Sequence, residues 1–167
     1  MILVDYDDSW PALYAREAER IRGALGERVR RLEHVGSTSV PGLCAKPVID
    51  VLLAVDDSAD EPSYRPALEA AGYVFALREP EWHQHRLLRG PDPRLNLHVF
   101  TVGSSEIDRM IRFRDHLRAD PADRELYAST KRALARRAWD SVQDYADAKT
   151  DVVAEIVARA EADRRRC

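Results

Sequence analysis

The order of hydrophobic patterns along the chain predicts an α+β (mixed α/β) fold. Over residues 27–103, apolar residues alternate or form short continuous runs, and Gly- and Pro-rich turns separate these runs. Over residues 105–166, apolar residues recur at helical spacing. The chain of 167 residues has the length of one domain with a sizeable core. We therefore predict a single domain over residues 1–167, in which a sheet core precedes a C-terminal helical tail.

The first predicted elements are a helix, a strand, a loop and a second strand. Pro11 stands in the first turn of a helical pattern that ends at Gly26. Residues 28–35 alternate in part and predict a strand. Residues 36–47 contain two Gly, two Pro and three hydroxyl side chains, which predicts a loop. Residues 48–55 (VIDVLLAV) are long and apolar enough for a central strand that is buried on both faces.

The remaining patterns predict a second helix, three further strands and a helical tail. The predicted strands cover residues 73–77, 86–89 and 95–101, and the predicted helices cover residues 62–71, 105–118, 121–139 and 143–164. The last two strands are joined by a turn-forming segment, which predicts a hairpin. Asp120 is predicted to cap the helix that begins at Pro121.

The composition argues against several classes of function. A formal net charge of −3 is not the balance of a nucleic-acid-binding protein, so we expect no nucleic-acid partner. No apolar run approaches the length of about 20 residues that a membrane helix needs, so we expect no membrane association. The N-terminus lacks the basic and apolar regions of a secretory signal, and a cytoplasmic location is expected.

Asp50 places a charge inside the strongest strand pattern of the chain. A carboxylate among apolar side chains is costly unless it is paired or binds a metal. One interpretation is a structural Asp whose oxygens accept hydrogen bonds from loop amides. The other is a ligand for Mg²⁺, which prefers carboxylate oxygens and substrate phosphates. The second is favoured because only a short loop separates Asp50 from Gly36.

The loop before Asp50 has the residue types of a phosphate-binding segment. Gly36 allows the backbone to approach a ligand closely. Three hydroxyl side chains and their amides can donate hydrogen bonds to phosphate, and these belong to Ser37, Thr38 and Ser39. Lys46 adds a positive charge nearby. A Gly-Ser pair between two strands, followed by Lys and an in-strand Asp, predicts a nucleotide-binding loop.

Two segments carry a resemblance to a known family. Residues 34–43 (HVGSTSVPGL) and 46–50 (KPVID) resemble the signature of the GrpB family, which is assigned to the nucleotidyltransferase superfamily together with polymerase beta. The likeness extends over nearly the whole chain. It includes Val4, Tyr6, Trp10, the segments 97–99 and 113–118, Tyr127, Lys131, Leu134, Ala135, Tyr145 and Lys149.

The resemblance implies a mixed sheet flanked by helices, and a site for ATP or another nucleotide with a divalent metal, Mg²⁺ or Mn²⁺. The superfamily pattern places two carboxylates one residue apart and a third on a later strand, where two metals would stabilise the attacking and leaving oxygens. This chain has Leu52 and His98 at the second and third positions. Asp50 is therefore expected to bind the metal, with His98 as a second ligand or a general base and Lys46 offsetting phosphate charge.

Other side chains are candidates for the same site. Arg86 is predicted to hold a phosphate or carboxylate of the acceptor, or else to form a surface ion pair. His34 precedes the loop and is predicted to line the site or to bond the backbone. His83 and His85 have the spacing of one strand face and could bind metal, although an exposed polar loop is the favoured interpretation.

The helical tail contains polar residues whose role the pattern leaves open. Lys131 and Lys149 lie on amphipathic helices, where solvated faces are the default interpretation. The alternative is that the tail closes over the nucleotide site.

Three functions follow from these residues. The first is an enzyme that transfers a nucleotidyl group from ATP or another nucleotide to a small-molecule acceptor, or activates that acceptor. The second is a non-catalytic module that binds a nucleotide or coenzyme, since GrpB-like domains also occur joined to dephospho-coenzyme A kinase. The third is an ATP-dependent ligase for small acids and amines, whose acyl-adenylate intermediate would form in the same pocket.

Overall fold

A computed structural model describes residues 2–90, 94–136 and 142–166 of the chain. Five strands form one mixed sheet: β1 (Arg31–Val35), β2 (Ile49–Val55), β3 (Val74–Glu79), β4 (His85–Gly90) and β5 (Leu95–Thr101). The order across the sheet is β1-β2-β5-β4-β3. Strands β2 and β5 run parallel, and the other neighbouring pairs are antiparallel. The predicted α+β class is confirmed, and β4 and β5 form the predicted antiparallel pair.

The helices of the described residues are α1 (Trp10–Leu25), α2 (Arg65–Ala70), α3 (Ser105–Ala119), α4 (Pro121–Ala135), α5 (Val142–Ala148) and α6 (Thr150–Arg166). Helix α4 begins as predicted, because the Asp120 side chain accepts a hydrogen bond from the Asp123 amide. Its predicted end near Trp139 falls outside the described residues. No helix of the described ranges is both long and apolar enough to cross a lipid bilayer.

Several predicted boundaries differ from the structure. The helix predicted over residues 62–71 covers only Arg65–Ala70, because Glu61–Ser63 form a separate 3₁₀ turn. The first strand begins at Arg31 and not at residue 28, because Gly26–Arg28 form a 3₁₀ turn. The predicted helix over residues 143–164 is wrong as a single helix. The chain turns at Lys149, whose amide bonds the Ala146 carbonyl three residues back, and α6 starts at the next residue.

One face of the sheet is covered by α1 and α2. Alternate residues of the central strands, including Val51, Leu53 and Val99, point to this face and pack with Ile21 of α1 and Leu68 of α2. The other alternate residues, including Leu52 and Phe100, pack against Ile107 and Ile111 of α3. Asp50 belongs to the second set, so it lies on the α3 face of the sheet.

A third apolar cluster joins the loop after Ser39 to the helical tail. Val40, Leu43 and Cys44 are buried against Leu117 of α3 and Ile156 of α6, together with Tyr127 and Ala128 of α4. The loop is therefore held between the sheet and the tail, which brings side chains of α4 and α5–α6 to the edge where β2 begins.

Candidate functional site

Gly36 forms the turn at which β1 leaves the sheet. Its φ is +74°, a conformation that glycine adopts without steric cost. A Cβ atom at this position would lie 2.6 Å from Oδ2 of Asp50. The backbone of the Gly-Ser turn therefore passes directly over the Asp50 carboxylate, and this requires glycine.

Asp50 is the first member of a chain of four hydrogen-bonding side chains. His98 Nε2 lies 3.1 Å from Asp50 Oδ1. His98 Nδ1 lies 3.0 Å from His85 Nε2, and His85 Nδ1 lies 2.7 Å from Glu79 Oε1. Strand register explains the alignment: His98 is the diagonal neighbour of Asp50 on the parallel strand, and His85 pairs with Glu79 across β4 and β3. Desolvation by burial lowers the pKa of His85.

The number of N–H protons on the two imidazoles limits how many contacts among these four side chains can be hydrogen bonds. Two neutral imidazoles have one N–H each and supply donors for two contacts, whereas the chain contains three contacts. If Glu79 accepts from His85 and His85 accepts from His98, then His98 Nε2 turns its lone pair toward the Asp50 carboxylate. The Asp50–His98 contact then needs a further proton or a cation.

A buried lysine of the tail reaches the loop. Lys131 of α4 is 3% exposed, and its ammonium lies 2.7 Å from both Ser37 Oγ and the Cys44 carbonyl oxygen. Burial lowers the pKa of Lys131 to about 7. Lys131 therefore holds both ends of the loop over residues 37–44.

A cleft of about 860 Å³ opens beside Asp50. Its wall includes Ser37, Thr38 and Asp50, and five positively charged side chains, which belong to Lys46, Arg89, Arg94, Lys131 and Lys149. Asp50 is the one acidic residue among those that line it. Burial lowers the pKa of Lys46 and of Lys149. The cleft has the size of a small-molecule site and the charge to bind a polyanion.

Two predicted site residues, His34 and Ser39, make other contacts. His34 is buried, stacks on Tyr14 and bonds Thr38 Oγ1 through Nε2 at 2.9 Å. Burial and the nearby Arg118 guanidinium lower the pKa of His34 to about 4. Ser39 Oγ donates to the Gly36 carbonyl, and the Ser39 carbonyl accepts from Arg118. His34 and Ser39 thus support the loop and do not line the cleft.

Arg86 lies on the opposite face of the sheet. It pairs with Val99 of β5, so its side chain points toward the α1–α2 side, where its Nε donates to Glu61 at 2.9 Å. The structure therefore does not bring Arg86 to Asp50, although only β5 separates their two strands. The sequence alone left the face of Arg86 undefined.

The structure also decides between the interpretations that the sequence pattern left open for several residues. His85 is buried in β4 and contacts His98, whereas an exposed loop was the favoured interpretation; His83 lies in the preceding turn. The scarcity of lysine in the sequence is a signal that could have pointed to the site. The chain has 26 Lys and Arg residues, and three of them are lysines, all of which line the cleft.

A second cluster has metal-ligand chemistry and lies elsewhere. His116, Asp120 and Asp123 place one ligand atom each within 4.8 Å of one another. Asp123 already accepts two hydrogen bonds from Arg159 and one contact from His116, and Asp120 caps α4. These contacts give the cluster a structural role between α3, α4 and α6.

Comparison with known proteins identifies the family. The sequence model described as GrpB protein matches residues 1–159. The chain belongs to the GrpB family. A curated relative, UPF0157 protein BH1888 of Halalkalibacterium halodurans, is 59% identical over 160 residues, which cover 96% of this chain and 82% of the relative. A dephospho-CoA kinase of Mycolicibacterium paratuberculosis is 31% identical over 88% of this GrpB chain and 42% of the kinase.

Solved structures support the same assignment. The crystal structure of GrpB from Enterococcus faecalis matches with a TM-score of 0.84 and 33% identity, over 95% of this chain and 96% of that chain. Cid1 poly(U) polymerase, solved with Mg and 3′-dATP bound, matches with a TM-score of 0.51 and 12% identity, over 77% of this chain and 44% of that chain. This GrpB protein therefore has a nucleotidyltransferase-like fold.

Proposed function

We propose that this GrpB protein binds ATP or another nucleotide with a divalent cation and transfers the nucleotidyl group to a small-molecule acceptor. The observation that carries the proposal is that Asp50, which contacts His98, lines a cleft together with five cationic side chains. The nucleotidyltransferase-like fold supports this placement by analogy.

The triphosphate is assigned to the cationic side of the cleft. Ser37 and Thr38 offer backbone amides at the Gly36 turn, and the Ser37 hydroxyl faces the Lys131 ammonium. Lys46 and Lys149 also line the cleft and add positive charge. Ammonium groups are point charges with freely rotating donors, which suits oxygens spread over several phosphates.

The cation is assigned to Asp50 and His98. Two ligands of an octahedral cation, each about 2.1 Å from it, lie about 3.0 Å apart when they are adjacent. The distance of 3.1 Å between His98 Nε2 and Asp50 Oδ1 fits this geometry. Glu79 and His85 fix the orientation of His98, as outer carboxylates do for metal-binding histidines. The imidazole favours Mn²⁺ or Zn²⁺ over Mg²⁺.

In the proposed reaction a deprotonated oxygen of the acceptor, such as a carboxylate oxygen, forms a bond to the α-phosphorus, and the bond from the α-phosphorus to pyrophosphate breaks. The bound cation would stabilise the charge that develops on the phosphoryl oxygens. Lys46 and Lys131 would stabilise the departing pyrophosphate. The Gly36 turn would hold the triphosphate so that its α-phosphate lies above Asp50.

Lysine acetylation tests nucleotide binding directly, because the three lysines of the chain all line the cleft. The protein is treated with acetic anhydride near neutral pH, with and without ATP and Mn²⁺, and each lysine is quantified by mass spectrometry. ATP with Mn²⁺ is expected to protect Lys46 and Lys149, which are partly exposed, whereas Lys131 is 3% exposed and serves as the internal reference of low reactivity. Equal acetylation in both samples would contradict the proposal.

Asp50→Asn tests the transfer reaction. The protein is incubated with Mn²⁺, ATP labelled at its α-phosphate, and a panel of small acids, amines and alcohols. Because a metal ligand contributes several kcal/mol, Asp50→Asn is expected to lower turnover by about a hundredfold. Asp56→Asn is the matched control, since Asp56 follows the same strand and is exposed. Unchanged turnover in Asp50→Asn would sink the assignment.

A second candidate function is a non-catalytic module that binds a nucleotide or coenzyme. The observation that favours it is the loss of the superfamily carboxylates: Leu52 is fully buried against Val35 and Ala54, and His98 occupies the later strand. The similarity to part of a dephospho-CoA kinase is consistent with such an accessory role. ATP protection of the lysines without transfer to any acceptor would favour this function.

A further inference from the structure

The hairpin of β3 and β4 exposes large hydrophobic side chains beside the cleft. Val74 is 61%, Leu77 is 37% and Trp82 is 41% exposed. Among the described residues, five large hydrophobic side chains are this exposed, and three of them belong to this hairpin. We call Val74, Leu77 and Trp82 the apolar shelf. Such a group next to a pocket is typical of a ligand-binding surface.

Strand register places the shelf on the same face of the sheet as Asp50. Val74 pairs with Arg89, which pairs with Asn96, the partner of Asp50. Directly paired residues of neighbouring strands share a face. A bulge between Phe75 and Leu77 returns Leu77 to this face, where it pairs with Leu87 and, beyond it, His98.

The shelf is continuous with the cleft. Val74 lines the cleft and also belongs to the shelf, and Arg89 beside it lines the same cleft. Trp82 packs edge-on against His85, with ring centroids 5.0 Å apart. The shelf therefore runs beside the contacting side chains of His98 and His85, from the cleft to the hairpin turn.

The hairpin turn is held in an unfavourable conformation. His83 and Gln84 have φ of 54° and 51°, which costs residues other than glycine about 1–2 kcal/mol each. This turn places Trp82 against His85 and Phe100. Backbone strain of this kind is often retained where it positions a functional group.

We propose that the apolar shelf binds the hydrophobic part of the acceptor, an organic acid with an aromatic or aliphatic group whose carboxylate pairs with Arg89. This inference rests on the proposed function, because it assigns the acceptor to the β3–β4 side of Asp50 in the sheet and the triphosphate to the side of the Gly36 turn. The guanidinium of Arg89 is the cation nearest the shelf in strand register, and it suits a carboxylate.

Phenylbutyrate is the probe for the test, and phenylbutanol, which lacks the carboxylate, is the matched compound. Backbone amide chemical shifts are followed by NMR during each titration. Phenylbutyrate is expected to shift amides of the hairpin, β3 and β4, and to bind more tightly than phenylbutanol. No shifts in the hairpin, or equal binding of the two compounds, would overturn the proposal.

Leu77→Glu and Arg89→Glu are the test variants, and Val102→Glu is the control, because Val102 is a similarly exposed hydrophobic residue at the end of β5. Each test variant is expected to weaken phenylbutyrate binding about tenfold, since a buried Leu contact or a charge pair is of that order. An equal effect of Val102→Glu would overturn the assignment to the shelf.

ATP binding is measured on the same samples by lysine protection. Protection without phenylbutyrate binding would overturn the shelf and leave the nucleotide site supported. Phenylbutyrate binding without protection would support the shelf as a binding surface and contradict the proposed function.

Discussion

The two faces of the sheet both bury a positive charge, and they do so differently. On the α1–α2 face, Arg86 is 3% exposed and donates to Glu61, which also accepts from Arg65 and Arg78. Hydrogen bonds from Arg78, opposed by burial, lower the pKa of Glu61 to about 2. On the α3 face, Lys131 is equally buried and donates to two neutral oxygens.

The difference distinguishes a structural cluster from the proposed binding site. The Arg86 guanidinium has a carboxylate partner within the protein, so this face is electrostatically complete without a ligand. The cleft has five cationic side chains and one carboxylate among the residues that line it, and burial lowers the pKa of its lysines. We therefore expect anion binding to stabilise the cleft and to leave the Arg86 cluster unaffected.

Arg86→Met should show the largest effect on stability. Removing one partner of a buried ion pair is expected to lower the free energy of unfolding by about 3 kcal/mol, measured by urea denaturation. Lysine protection by ATP should be unchanged. Arg78→Met is the control, because Arg78 bonds the same carboxylate from an exposed position and should cost less than about 1 kcal/mol. A loss of ATP binding in folded Arg86→Met would contradict the assignment of a purely structural role to the Arg86 cluster.

Gly36→Ala should disturb the cleft through the backbone. The left-handed φ and the contact with Asp50 predict a loss of about 2 kcal/mol in the free energy of unfolding, together with weaker ATP binding. Gly42→Ala is the control, since Gly42 has φ of +83° and open space where Cβ would lie. It should cost about 1 kcal/mol from strain alone and leave ATP binding unchanged. Equal effects of the two variants would argue against the close approach to Asp50.

Lys131→Met should weaken binding without the stability loss of Arg86→Met. Loss of one cation is expected to reduce ATP affinity about tenfold, measured by calorimetry with Mn²⁺ present. Arg132→Met removes the same charge from the next position of α4, where the side chain is exposed, and should have little effect. If both variants bind ATP alike, net charge and not the position of Lys131 controls affinity.

The pH dependence of stability should also distinguish Lys131. The pKa of Lys131 is about 7 in the folded protein, and the ordinary value of 10.5 applies to the unfolded chain. Between these two pH values the unfolded chain therefore binds more protons at Lys131 than the folded protein does. The free energy of unfolding should therefore rise with pH by about 1 kcal/mol per unit between about pH 7 and about pH 9, relative to Lys131→Met. Parallel pH profiles of the two proteins would show that Lys131 titrates normally.

Much of the fold was predictable from local patterns. The apolar run of β2, the alternation of β5 and the Asp120-Pro121 start of α4 each depend on neighbouring residues, and all three are confirmed. The third tail helix was predicted wrongly as one element, since residues on both sides of Lys149 continue the helical spacing and the turn there depends on packing.

The sequence by itself determined the loop of residues 36–47, the placement of Asp50 inside a buried strand, and the family, because these depend on residue types close together in the chain. The tertiary structure decided which distant residues join Asp50. It placed Lys131, Lys149 and His85 near Asp50, and it placed Arg86 on the α1–α2 face of the sheet. The physical reason for Arg86 is that side chains alternate along a strand, so a shift of one residue in strand register moves a side chain to the other face. The reason for the lysines is that only the packing of the tail sets which side of each helix meets the loop.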